Sequence, residues 1–203
     1  MLVLVLAAAA ILKVDANAGN NKFDATFDAP LGERIMATSS AVGCELALEG
    51  GNASGTCSVP LTSVTVDGEP TKTGHFQQWA TNKKVDPKAC ALEARLEGVK
   101  LEGPLSTIPV KLEGEAAFKV CGKAREDGGK EKLQGTAVQL PNGSIRIRAR
   151  VERFDRDKYR IGPRYTDGWL SRVQQLAPVV AEVGTIDISI FARPSAPPSA
   201  SRQ

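Results

Sequence analysis

The chain of 203 residues carries 26 Lys and Arg against 23 Asp and Glu, a net charge of +3, with the two signs interspersed along its length. Nucleic-acid binding needs a concentrated basic face with aromatic platforms, and two Trp and two Tyr do not supply them. The length suits a single domain with a substantial core.

The chain opens on an unbroken apolar run, Met1 to Leu12, with no charge before Lys13. A bilayer span needs about 20 apolar residues, whereas the apolar region of a signal peptide takes roughly 7 to 15. The run therefore predicts export and no stable membrane span. Small residues stand at signal-peptidase spacing at Ala8-Ala9-Ala10 and again at Ala16-Asn17-Ala18, although no basic segment precedes the run. A Leu-x-Gly-Cys lipobox is absent, which favours a free exported protein over a lipid-anchored one.

Cys44, Cys57, Cys90 and Cys121 form no Cys-x-x-Cys pair and have no histidine at ligand spacing, so zinc is disfavoured. In an oxidising compartment an even count points to two disulfides. Of the three connectivities, Cys44 to Cys57 with Cys90 to Cys121 best suits a meander of neighbouring strands.

Apolar and polar residues alternate through most of the chain, the period of half-buried strands. In Ile145-Arg146-Ile147-Arg148-Ala149-Arg150-Val151 the apolar side chains share one face and three arginines the other. The same period recurs at Leu92, Ala94 and Leu96; at Ile108, Val110 and Leu112; and at Ile186, Ile188 and Ile190. Gly50-Gly51, Asp67-Gly68, Gly128-Gly129 and Pro141-Asn142-Gly143 separate such stretches as tight turns do. Helix is confined to two candidates, His75 to Thr81 and Trp169 to Leu176. These elements predict an all-β, antiparallel, up-and-down barrel or sandwich of about eight strands with one or two short helices. The Pro- and Ser-rich end reads as a disordered tail.

Several segments, in order, resemble the YceI-like family of exported bacterial proteins. Leu12-Lys13-Val14-Asp15 is similar to the family's opening strand, and Val59-Pro60-Leu61-Thr62-Ser63-Val64 to the strand before its threonine-bearing loop. Thr71-Lys72-Thr73-Gly74-His75-Phe76 followed by Val85-Asp86-Pro87 matches the stretch where the family carries Arg-Asp, His-Leu and Tyr-Pro; here the Arg-Asp pair is absent and Phe76 replaces the leucine. Leu101-Glu102-Gly103-Pro104-Leu105-Ser106-Thr107-Ile108-Pro109-Val110 resembles its Gly-x-Leu-Thr hairpin, and Val183-Gly184-Thr185-Ile186-Asp187-Ile188-Ser189-Ile190 its closing strand. The resemblance runs from about Leu12 to Ala192, and the four cysteines mark a divergent member.

It implies a lipocalin-like barrel that binds a polyisoprenoid, an isoprenoid quinone being one such ligand, in the periplasm or outside a bacterial cell. It also implies an organisation of signal peptide at 1–10, barrel at 11–192 and tail at 193–203. Because Leu12 to Asp15 then belong to the first strand, the expected cleavage moves from Ala18 to just after Ala9 or Ala10.

A closed sheet of about eight strands either fills with side chains or holds one ligand. Its inward residues are apolar, and the short Ala91, Ala94 and Ala149 leave room. The expected ligand-binding residues are Leu92, Ala94, Ile108, Val110, Ile145, Ile147, Ile186 and Ile188, with Trp79 and Trp169 gating the mouth and His75 making a polar contact at the entrance. No signature ties the single histidine to a nucleophile or carboxylate, so no catalytic residue, metal or further cofactor is assigned. The alternative is a solid barrel whose Arg146, Arg148 and Arg150 meet an acidic partner. The oligomeric state is left open, homodimer included.

Overall fold

The computed structural model describes residues 10–166 and 180–195. Its strands are β1 (Ala10–Val14), β2 (Lys22–Asp28), β3 (Arg34–Ser39), β4 (Gly43–Glu49), β5 (Asn52–Pro60), β6 (Thr65–Val66), β7 (Ala91–Leu101), β8 (Val110–Val120), β9 (Lys123–Ala124), β10 (Glu131–Gln139), β11 (Ile145–Asp155) and β12 (Val183–Pro194). Hydrogen bonding runs in the order β1, β4, β5, β7, β8, β10, β11, β12, and β12 pairs back onto β1, which closes the ring. The other end of β12 pairs β2, followed by β3 and β6.

The pairs β1 and β2, β3 and β4, and β5 and β6 are therefore consecutive halves of three bent staves. With β7, β8, β10, β11 and β12 they make an antiparallel up-and-down barrel of eight staves, as the alternation predicts. Closure leaves no long unpaired edge in the ring. Staves must also coil tightly around so small a barrel, and Gly135 permits it: a Cβ there would stand 1.9 Å from the Arg148 carbonyl oxygen across the β10–β11 pair.

Interrupting a stave strands backbone groups, and buried ones must find partners. Asn21, 3% exposed, supplies them at the first two breaks. Its amide nitrogen donates to the carbonyls of Asp15 (2.8 Å) and Val42 (3.3 Å), and its side-chain oxygen accepts from the Phe191 N–H (3.0 Å). One side chain thus ties the β1–β2 break, the β3–β4 break and β12 together.

Helix α1 spans Pro70–Thr81, five residues earlier than the predicted start at His75, because Pro70 occupies the first helical turn, where its missing N–H costs nothing. Asn82 ends the helix in the left-handed conformation (φ 53°). A four-residue helix, α2, covers Pro163–Thr166. The second predicted helix, Trp169 to Leu176, lies outside the described residues, as do residues 1–9 and 196–203. At the other terminus β12 continues through Pro194, and the Ser195 N–H donates to the Ile11 carbonyl at 2.8 Å.

Both disulfides follow the local pairing. Cys44 and Cys57 face each other across β4 and β5 with Cα atoms 4.1 Å apart, and Cys90 and Cys121 join the entry of β7 to the exit of β8 at 4.7 Å. Among the described residues no cysteine is free, and no helix is long and apolar enough to cross a membrane.

Candidate functional site: a divided barrel lumen

Among the described residues the inward faces of the staves border a larger and a smaller cavity. The larger, about 520 Å³, lies under α1 and falls within the roughly 300–1,000 Å³ typical of small-ligand sites. Its walls are Phe23, Ala25 and Phe27 of β2, Ile35 and Ala37 of β3, Leu92 and Ala94 of β7, Phe118 and Val120 of β8, and Ile186 and Ile188 of β12. Phe76 and Trp79 of α1 complete it, with the His75 ring stacked on Trp79 at 6.4 Å. The smaller cavity, about 70 Å³, sits deeper and is lined by apolar side chains, among them Leu12, Leu46, Leu112, Leu133, Ile145 and Ile190.

Polar groups gather at the rim of the larger cavity: Lys72, Gln78, Lys83, Glu93, Lys119 and Arg156. Lys72 lies 2.9 Å from both Asp67 and Glu69, and these partners raise its ammonium above the ordinary lysine range. Burial pulls the Asp67 carboxyl upward, but the Met36 N–H and Lys72 together outweigh it and hold the group below its usual value. Arg156 donates to the carbonyls of Ala181 (3.0 Å), Ile161 (2.7 Å) and Val180 (2.7 Å), and so pins the segment before β12 to the mouth.

One carboxylate breaks the rule that inward positions are apolar. Glu131 is 4% exposed and sits in the same register as Leu133 on β10. It accepts from the Tyr159 hydroxyl at 2.9 Å and from Arg125 at 3.1 Å, the partnering that a buried carboxylate requires. Burial first, then the bond to Glu131, pushes the Tyr159 phenol well above its ordinary value. Tyr159 in turn stacks on Phe154 at 4.8 Å, and Phe154 meets Phe118 edge-on at 5.8 Å. A buried polar network thereby positions aromatic rings that line the larger cavity.

Of the residues expected to contact a ligand, Trp79, Leu92, Ala94, Ile186 and Ile188 line the larger cavity together with His75, and Ala94, Ile145, Ile147 and Ile188 line the smaller. Ile108 is the correction. It is 73% exposed in the loop before β8, because Pro109 has no N–H to give to a ladder and the strand starts only at Val110. Val110 packs against the core from the end of β8 but borders neither cavity. Trp169 lies outside the described residues. Of the short residues expected to leave room, Ala94 borders both cavities and Ala149 the smaller, while Ala91 borders neither.

Sequence reasoning missed the β2 and β3 walls, although Phe23-Asp24-Ala25-Thr26-Phe27 and Ile35-Met36-Ala37-Thr38 carry the same two-residue period. On the outer face Arg150 forms a two-point pair with Asp187 (2.7 and 2.8 Å), and Arg146 lies over the Phe191 ring at 5.3 Å. Among the described residues no group of His, Cys, Asp and Glu is placed to hold a metal ion.

No family model matches the chain, and no curated protein matches it in sequence. A solved structure does resemble it: a polyisoprenoid binding domain from Saccharophagus degradans, implicated in plant cell wall breakdown, with a TM-score of 0.62 over 92% of this chain and 99% of that one. The two sequences are 12% identical, so what they share is the fold.

Proposed function

We propose that this protein is an exported, non-enzymatic carrier that holds a polyisoprenoid or similar long apolar lipid inside the barrel. The observation that carries the reading is the cavity of about 520 Å³ walled by Phe, Ile, Leu, Val and Ala beneath α1. Removing an apolar chain from water contributes about 25 cal/mol per Å² before the costs of association, so such a cavity supplies affinity without a polar anchor in its depth. Trp79 contacts the chain near the mouth, Leu92 and Ile186 along the walls and Ala94 and Ile188 at the inner end, and His75 with the rim lysines meets its polar end. The solved neighbour of the same fold is described as polyisoprenoid binding, which supports the ligand class.

Export accords with the two disulfides, which persist in oxidising compartments. The leader is removed at the start of β1, after Ala9 or Ala10. Cleavage after Ala18 would delete β1, which pairs with both β4 and β12, and would reopen the ring. The test is native mass spectrometry of protein recovered from a bacterial periplasm through its own leader. The expected result is a co-purifying isoprenoid and a mature N-terminus at Ala10 or Ile11. Protein that arrives empty and takes up no isoprenoid quinone contradicts the proposal.

A further inference from the structure

The two cavities share four lining residues, Cys57, Ala94, Phe118 and Ile188. Three of these form one row across adjacent staves: Cys57 is the register partner of Ala94, and Ala94 of Phe118. The row extends to Cys44, which faces Cys57 and is bonded to it. At this level of the barrel the wall therefore reads Cys, Cys, Ala, Phe, with Ile188 of β12 completing the boundary. Cysteine and alanine are too short to reach across a lumen. Phe118 is the long member, and the space divides where its ring stands.

That ring is held in place. Phe118 meets Phe154 edge-on, Phe154 stacks on Tyr159, and the Tyr159 hydroxyl is anchored on the buried Glu131, itself paired with Arg125. An aromatic side chain with free rotation would yield to an incoming chain by changing rotamer. A ring fixed at its edge by a second ring, which is fixed in turn by a buried ionic network, resists that displacement.

We infer that Phe118 is the chain-length stop of the barrel: it ends the larger cavity and sets how many isoprene units enter, the remainder staying at the mouth. This rests on the lipid-carrier reading above. Below the stop the smaller cavity, of about 70 Å³ and wholly apolar in lining, is the space a longer chain enters once the ring is removed.

The experiment measures the affinities of farnesol and geranylgeraniol, which differ by one isoprene unit, for native protein, Phe118→Ala and Phe118→Leu. In Phe118→Ala the preference for geranylgeraniol over farnesol rises about tenfold or more above its native value, the factor that burial of roughly two further methylenes gives. Phe118→Leu keeps a core-filling side chain and shifts the preference the same way by a smaller factor, so the inference stays open to test if the alanine variant fails to fold. Native protein that binds both prenols, with the preference unchanged in the variants, overturns the stop and leaves the carrier reading standing. Native protein that binds neither prenol overturns both.

Discussion

The deeper half of the lumen is walled by leucine and isoleucine side chains, among them Leu12, Leu46, Leu112, Leu133, Ile145 and Ile190, with Ala53, Ala116, Ala137 and Ala149 between them, and retains about 70 Å³. The half beneath α1 combines Ala25 and Ala37 with aromatic residues that stand around the space, and retains about 520 Å³. Both halves are built from the same in-out alternation on the same eight staves. What separates them is the kind of side chain, leucine and isoleucine closing over the deeper half while aromatic rings stand around the other, and the breaks at 15–21, 40–42 and 61–64, which set β2, β3 and β6 apart from β1, β4 and β5. Open volume in this barrel is thus a local property of packing laid over a uniform pattern of strands.

The largest expected effect is in the filled half. Leu133→Ala removes a buried side chain from a site that cannot collapse freely and costs about 2–5 kcal/mol by denaturant unfolding; a cost below about 1 kcal/mol would mean that this half is not a packed core. A paired enlargement sharpens the contrast. Ala116→Leu in the filled half costs about 1–3 kcal/mol through overpacking, whereas Ala37→Leu in the open half costs less than about 1 kcal/mol. Equal costs in the two halves would abolish the distinction.

The smallest effect lies at the rim. Lys123 donates to the Asn82 side-chain oxygen at 3.1 Å, joining β9 to the end of α1. Burial, and then the nearby Arg160, lower its ammonium from 10.5 to about 8. Between those values the unfolded chain holds the proton that the folded chain has released, so stability rises with pH across that window. Below about 8 the folded protein bears the full cost of the half-buried charge, on the order of 1 kcal/mol once solvent screening is allowed for. Unfolding midpoints of native protein and Lys123→Met should therefore converge as pH rises through this range; curves that stay parallel would show that the charge is not penalised.

The barrel was legible in the sequence where one stave is one uninterrupted alternating run, as in Ile145 to Val151 and Ile186 to Ile190, and the local disulfide pairing followed from that meander. The staves broken into β1 to β6 were harder to read, because each half is short and the residue that repairs the breaks, Asn21, is a polar side chain whose partners lie as far away as Val42 and Phe191. For the same reason Phe23, Ala25 and Ala37 were not assigned to the cavity wall. Ile108 failed in the opposite sense: periodicity extended the strand through Pro109, where the backbone cannot. Glu131 and its partners were illegible because an inward carboxylate looks like an outward one until Tyr159, distant along the chain, and Arg125, across the turn before β10, are brought to it.

The central claim is that the chamber beneath α1 accepts an apolar chain. Calorimetric titration of farnesol into native protein and into Ala37→Phe, whose added ring projects into the chamber's free space and narrows it, tests it most directly. The account predicts saturable binding at one site with a negative heat-capacity change in native protein, the mark of buried apolar surface, and at least about tenfold weaker binding in the folded variant. Equal affinity in the two proteins, or no binding to the native one, would contradict it.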